Sequence, residues 1–130
     1  MSEKILVVDD SKIIVAFVKD LLEQDGYDVI SASDGEEALD KIFREGPDLV
    51  ILDVILPKVD GYQIARRLRN CEVKSLRKMP IIMLSSREAL VDESLQETGL
   101  AEAYLLKPID EAEVLQKVRE LLQQQSHLPR

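Results

Sequence analysis

The stretch K-I-L-V-V-D-D-S-K, residues 4–12, decides the fold. Four apolar residues, 5–8, run directly into two adjacent carboxylates, Asp9 and Asp10. A short, unbroken aliphatic run rich in β-branched residues is the pattern of a strand buried on both faces. Two like charges at the end of such a strand repel each other and resist desolvation. Their placement therefore demands partners from elsewhere in the chain.

Working outward, the same kind of run recurs at residues 29–32, 49–52, 81–84 and 104–106. Segments with helical spacing lie between the runs. The first carries Ile13, Ile14, Phe17, Val18, Leu21 and Leu22 as its inward stripe and stops at Gly26. The second carries Ala38, Leu39, Ile42 and Phe43, opened by Ser33 or Asp34 and closed by Gly46-Pro47. A third covers 62–70, with Ile64, Ala65 and Leu68. A fourth covers about 87–98, with a thin stripe of Leu90, Val91 and Leu95. A fifth begins near Asp110, with Val114, Leu115, Val118, Leu121 and Leu122 inward. Residues 70–79 read as a surface loop.

This alternation predicts a single α/β domain, (βα)5, with parallel strands and helices on both faces of the sheet. Five strands are too few for an eight-stranded barrel. An open, doubly wound, flavodoxin-like sheet in the order 2-1-3-4-5 follows. The domain is expected to span residues 1–122. The polar tail, 123–130, is expected to fray, which makes His127, the one histidine, a poor catalytic candidate.

Composition narrows the function. The chain has 130 residues, 45% of them apolar, enough for a real core. Its formal net charge of −8, with no basic stripe, argues against direct nucleic-acid binding by this domain. A single cysteine, Cys71, rules out an intrachain disulfide and fits a reducing, cytoplasmic setting. No apolar run approaches the ~20 residues that span a bilayer, so no membrane association is expected.

The unusual polar residues share one address. Asp9 and Asp10 follow the first strand, Asp53 ends the third, Ser85 and Ser86 follow the fourth, and Lys107 follows the fifth. Parallel strands bring all these ends to one edge. In the order 2-1-3-4-5 a crevice opens there between strands one and three. Taken singly, an aspartate or serine after a strand is usually a helix cap, and a lysine before proline a solvated loop residue. Asp53 resists that reading, because it is embedded in L-V-I-L-D-V-I-L-P, residues 49–57. Three close carboxylates repel, so either one protonates or a cation joins them. With oxygen donors only, and no cluster of His or Cys, the expected ion is Mg2+. Mg2+ with a lysine is the equipment that stabilises a transferring phosphoryl group. No glycine-rich phosphate loop is present, so the phosphoryl group must arrive from outside, and an aspartate can accept it covalently.

The motifs V-V-D-D-S (7–11), V-I-L-D-V-I-L-P-K-V-D-G (50–61), I-I-M-L-S-S (81–86) and A-Y-L-L-K-P (103–108) together resemble the receiver, or phosphoacceptor, domain of two-component response regulators. The resemblance covers about residues 3–122, with the parts in the expected order. It implies that Asp53 accepts a phosphoryl group from a sensor histidine kinase or phosphotransfer protein. It implies Mg2+ bound directly by Asp10, Asp53 and the backbone carbonyl of Ile55, with Asp9 acting mainly through a bound water. Lys107 would pair with Asp53 and then with the phosphoryl oxygens. Ser85 and Tyr104 would form the switch: the hydroxyl moves to the phosphoryl group and the ring turns inward. The Lys107–Pro108 bond is expected to be cis.

In that picture the face formed by the fourth helical stretch, the fifth strand and the fifth helix repacks to bind a downstream protein. The resemblance also admits a phosphorylation-dependent homodimer through that face. Some positions depart from the common pattern: Leu56 where Met is frequent, Ser86 where Ala is frequent, and Ile109 where Phe is frequent.

The leading expectation is a signalling module that acts by binding and catalyses only its own phosphorylation and dephosphorylation. A stand-alone regulator is favoured over the receiver part of a longer DNA-binding or enzymatic regulator. An Asp-nucleophile phosphatase acting on external substrates is the least favoured reading, because the chain leaves no room for a cap that encloses substrate.

Overall fold

The computed structural model describes residues 2–86 and 99–126. Its elements are β1 (Lys4–Val8), α1 (Lys12–Gln24), β2 (Asp28–Ala32), α2 (Gly35–Glu45), β3 (Leu49–Asp53), α3 (Gly61–Arg69), the short α4 (Lys74–Arg77), β4 (Ile81–Ser85), β5 (Ala103–Leu106) and α5 (Glu111–Ser126). The five strands form one sheet in the order β2-β1-β3-β4-β5, and every pairing is parallel. The predicted helical stretch at 87–98 and His127 lie outside the described residues.

Side chains alternate along each strand, so the sheet feeds two cores. On one face Leu6, Val8, Val50, Leu52 and Met83 pack with Ala38 and Ile42 of α2 and Ile64 and Leu68 of α3. On the other face Ile5, Val7, Leu49, Ile51 and Ile82 pack with Val18 and Leu22 of α1 and Val114 and Val118 of α5. Coverage on both faces is why these strands read as continuous apolar runs.

Helix starts are fixed by side chains that follow the strands closely. Ser11 Oγ accepts the Ile14 N–H at 3.3 Å, and Asp34 Oδ1 accepts the Glu37 N–H at 2.8 Å. Asp60 and Gln63 close a reciprocal capping box before α3, at 2.9 and 3.1 Å. Each cap contributes about 1 kcal/mol and sets a sharp turn at the carboxyl edge of the sheet.

The helical stripes are narrower than their sequence suggested. Ile13 is 82% exposed, Phe17 40% and Phe43 56%. A single sheet face buries about one stripe per helix, so α1 commits Val18 and Leu22 and leaves Ile13 outside. The segment 70–79 is not a plain surface loop: it contains α4 and buries Leu76 and Met79. α5 continues to Ser126, four residues past the expected boundary at 122, through glutamines that are good helix formers.

Candidate functional site

The site assembles where β1 and β3 end. The backbone N–H of Asp9 still bonds the Ala32 carbonyl, at 3.2 Å, so Asp9 is held as an extension of the sheet. Its side chain is buried. Oδ1 accepts the Ser11 N–H at 2.9 Å, and Oδ2 lies 3.0 Å from Lys107 Nζ. Asp10, the next residue, is exposed. Asp53 is the last residue of β3 and only 6% exposed. Its Oδ1 accepts the Ile55 N–H at 3.3 Å, and its Oδ2 lies 3.2 Å from Lys107 Nζ.

Lys107 is aimed by its backbone. Its N–H bonds the Ser85 carbonyl at 2.9 Å, and the Lys107–Pro108 peptide is cis. The ammonium stands between Asp9 and Asp53. The sequence reading paired it with Asp53 alone; the contact with Asp9 is the shorter of the two.

The electrostatics follow from burial. Desolvation pushes the Asp53 carboxyl above the usual carboxylate range, and the neighbouring Asp9 charge pushes the same way. Lys107 and the Ile55 N–H oppose this without reversing it. For Lys107, burial works against the charge, but hydrogen bonds and attraction from Asp9 and Asp53 hold its ammonium above the ordinary lysine range. Carboxylate oxygens of Asp9, Asp10 and Asp53 lie within 4.8 Å of one another. Three carboxylates face one lysine, which leaves an excess of two negative charges when all are ionised. The donor set is all oxygen, with one acid open to solvent. That arrangement fits a hard divalent cation such as Mg2+ and does not fit zinc or copper.

Ser85 ends β4 and is fully buried. Its Oγ has no hydrogen-bond partner among the described residues. Leaving a buried hydroxyl unpaired costs about 1–3 kcal/mol, and such a group is a donor in reserve. Ser86 is half-buried, so burial separates the two adjacent serines. Tyr104, half-buried in β5, sits opposite Met83 and packs against the core that contains α2 and α3.

The loop between β3 and α3 carries Ile55, which is 67% exposed. Two glycines clamp this loop. A Cβ on Gly61 would lie 2.4 Å from the Asp53 carbonyl oxygen, and a Cβ on Gly35 would lie 1.9 Å from the Val59 carbonyl oxygen. Lys58, with a φ of 69°, lies 3.5 Å from both Asp34 and Glu36. Sequence reasoning passed over Gly35, Lys58 and Gly61. The V-D-G at 59–61 carried a turn signal for the last of them, and nothing local marked the others.

The response regulator receiver domain family matches this chain over residues 5–119. The alkaline phosphatase synthesis transcriptional regulatory protein PhoP of Bacillus subtilis is 44% identical over 94% of this chain and 49% of its own length. The transcriptional regulatory protein TrcR of Mycobacterium tuberculosis is 38% identical over 98% of this chain and 48% of its own. The chain thus spans about half the length of these curated relatives. Among solved structures, the chemotaxis response regulator CheY4 of Vibrio cholerae superposes with a TM-score of 0.82 at 30% identity, covering 93% of this chain and 99% of that one. The receiver domain of the sensor histidine kinase PA1611 of Pseudomonas aeruginosa superposes at 0.83 with 28% identity, covering 94% and 98%. That structure has a magnesium ion coordinated in its active-site cleft. With the family match over residues 5–119, the sequence identity to these regulators and the shared fold, this chain belongs to the receiver-domain family of two-component response regulators.

Proposed function

We propose that Asp53 is the residue this receiver phosphorylates, and that the donor is a phosphohistidine on a sensor histidine kinase or phosphotransfer protein. One observation carries the reading. The buried Asp53 carboxylate stands beside a lysine it shares with Asp9, in a cluster of three acids.

In the transfer, an Asp53 carboxylate oxygen attacks phosphorus. The P–O bond forms and the P–N bond breaks. The electron pair stays on the imidazole nitrogen, which then takes a proton from solvent. Lys107 neutralises the carboxylate before transfer and the phosphoryl oxygens after it. Asp10, Asp53 and the Ile55 carbonyl would hold Mg2+ directly, and Asp9 through a water. When bound, the ion supplies the positive charge that three acids and an incoming phosphoryl group require. Later attack of water on phosphorus breaks the bond between phosphorus and the Asp53 oxygen, which releases inorganic phosphate and restores the carboxylate.

The product adds about one net negative charge and three acceptor oxygens at residue 53. The Ser85 hydroxyl, buried and without a partner among the described residues, is the donor that would answer it. Its movement would vacate space for Tyr104 and shift a pre-existing two-state equilibrium toward a partner-binding form. The partner is a downstream protein rather than nucleic acid contacted by this domain. Exposed Ile13 and Ile55, on segments that flank the acids in sequence, suit a protein donor that docks over the site. Among the described residues no helix is long and apolar enough to cross a membrane.

Incubation with acetyl phosphate and Mg2+, followed by intact-mass measurement, should add one phosphoryl group to wild type and none to Asp53→Asn. Equal labelling of both proteins would remove Asp53 from this role.

A further inference from the structure

A cleft outside the acidic cluster also has Asp9 in its lining. It lies between α1 and α2, over the end of the edge strand β2, and is open, with a volume of about 390 Å3. Lys12 and Lys19 of α1 and Lys41 of α2 border it, with Ser31 beneath. These are three of the chain's nine lysines, gathered at one cleft of a protein with a net charge of −8.

The lysines differ in what they already do. Lys41 bonds the Ser31 carbonyl and lies 3.4 Å from Glu37. Most other lysines of the chain are also paired: Lys4 with Glu45, Lys58 with Asp34 and Glu36, Lys107 with Asp9 and Asp53, and Lys117 with Glu120. Lys12 and Lys19 have no ion pair among the described residues. They lie seven positions apart, two helical turns, on the side of α1 that borders the cleft. The acids in the lining are Glu37 and Asp9. Glu37 is turned toward Ser33 and Lys41, and Asp9 is countered by Lys107. Three lysines against two acids leave the lining itself with one positive charge in excess.

We infer that this cleft is a binding site for a compact polyanion of the phosphoanhydride type. Lysine ammoniums are separate point charges suited to several charged oxygens, and no arginine fork is present to favour a single carboxylate. No aromatic side chain lines the cleft, so a nucleotide would be held by its phosphates and not by its base. Because Asp9 forms part of both walls, an anion here raises the negative potential at the acidic cluster. Occupancy and cation binding at the cluster should then favour each other reciprocally.

The test is calorimetric titration of tripolyphosphate into the full chain at low salt with EDTA present, so that no divalent ion bridges. Wild type should show saturable one-to-one binding. Lys12→Gln/Lys19→Gln should weaken it at least tenfold. The control Lys74→Gln/Lys78→Gln, which removes equal charge elsewhere, should leave it within twofold. Glu37→Gln should tighten it severalfold. ATP should bind comparably, with no chemical-shift change on its adenine protons. Non-saturable binding, an equal loss in the Lys74/Lys78 control, or binding of ATP without tripolyphosphate would each overturn the proposal. The substituted lysines are solvent-facing or at the surface, and matching far-ultraviolet circular dichroism would show that the fold is retained.

Discussion

The two ends of the sheet each hold a partly buried charge cluster, and they are built on opposite plans. At the amino ends of β4 and β5, Arg69 reaches across from α3. Its Nε donates to the Leu100 carbonyl at 3.0 Å, and its Nη1 to the carbonyls of Arg77 and Met79 at 3.0 and 2.9 Å. Its Nη2 meets both oxygens of Glu102 at 2.7 and 2.8 Å, and Glu102 also accepts the Ile81 N–H at 3.4 Å. Burial pushes the Glu102 carboxyl up despite Arg69, yet every strong group in this cluster has a partner. At the carboxyl ends, Asp9 and Asp53 share one lysine with Asp10 close by, and a buried hydroxyl has no partner among the described residues. The satisfied cluster fixes strands. The unsatisfied cluster has capacity left for a cation and an incoming anion, which is what a phosphoryl-accepting site needs.

The largest effect should come from breaking the satisfied end. Arg69→Met strands Glu102 and three carbonyls, and should cost about 2–4 kcal/mol in urea unfolding after discounting for partial exposure. Arg69→Lys should recover little of this, because one ammonium cannot reproduce the fork. A loss below about 0.5 kcal/mol for Arg69→Met would erase the contrast between the two ends.

The next effect is at the unsatisfied end. Asp10 is exposed, whereas both oxygens of Asp9 are already engaged by Ser11 and Lys107. In a Mg2+ titration Asp10→Asn should weaken binding by at least about tenfold, and Asp9→Asn by less. The reverse order would overturn the assignment of direct and water-mediated roles.

The smallest effect is on stability. The folded-state pKa of Asp53 is raised, so the unfolded chain loses this proton first as pH rises. Stability falls from the unfolded carboxylate range up through the folded pKa and then stays low. Asp53→Asn removes that loss. Without Mg2+ it should stabilise the protein at neutral pH by about 1 kcal/mol. The gain should vanish in acid, below both pKa values. Destabilisation at neutral pH would mean that Lys107 more than compensates the buried charge.

The contrast also shows what the sequence made legible. Strands buried on both faces announce themselves, because each residue is apolar whichever way it points. That made the sheet order and the carboxyl-edge address of Asp9, Asp53, Ser85 and Lys107 readable. The helical faces were less legible: the stripe through Ile13 and Phe17 looks the same whether or not the sheet is wide enough to cover it. The Arg69 cluster was invisible, since backbone carbonyls leave no trace in side-chain identity and Leu100 is 31 positions away. α4 was missed because four residues are too few to show a helical period. The sharing of Lys107 between Asp9 and Asp53 depends on side-chain placement after β5, which motif order does not encode.

The most direct test of the central claim is chemical. An acyl phosphate on aspartate is reduced by borohydride to homoserine, so tritiated borohydride marks the phosphorylated residue. After treatment with acetyl phosphate and Mg2+, peptide mapping should place the label at residue 53 alone. Label at Asp9 or Asp10, or none at residue 53, would contradict the account.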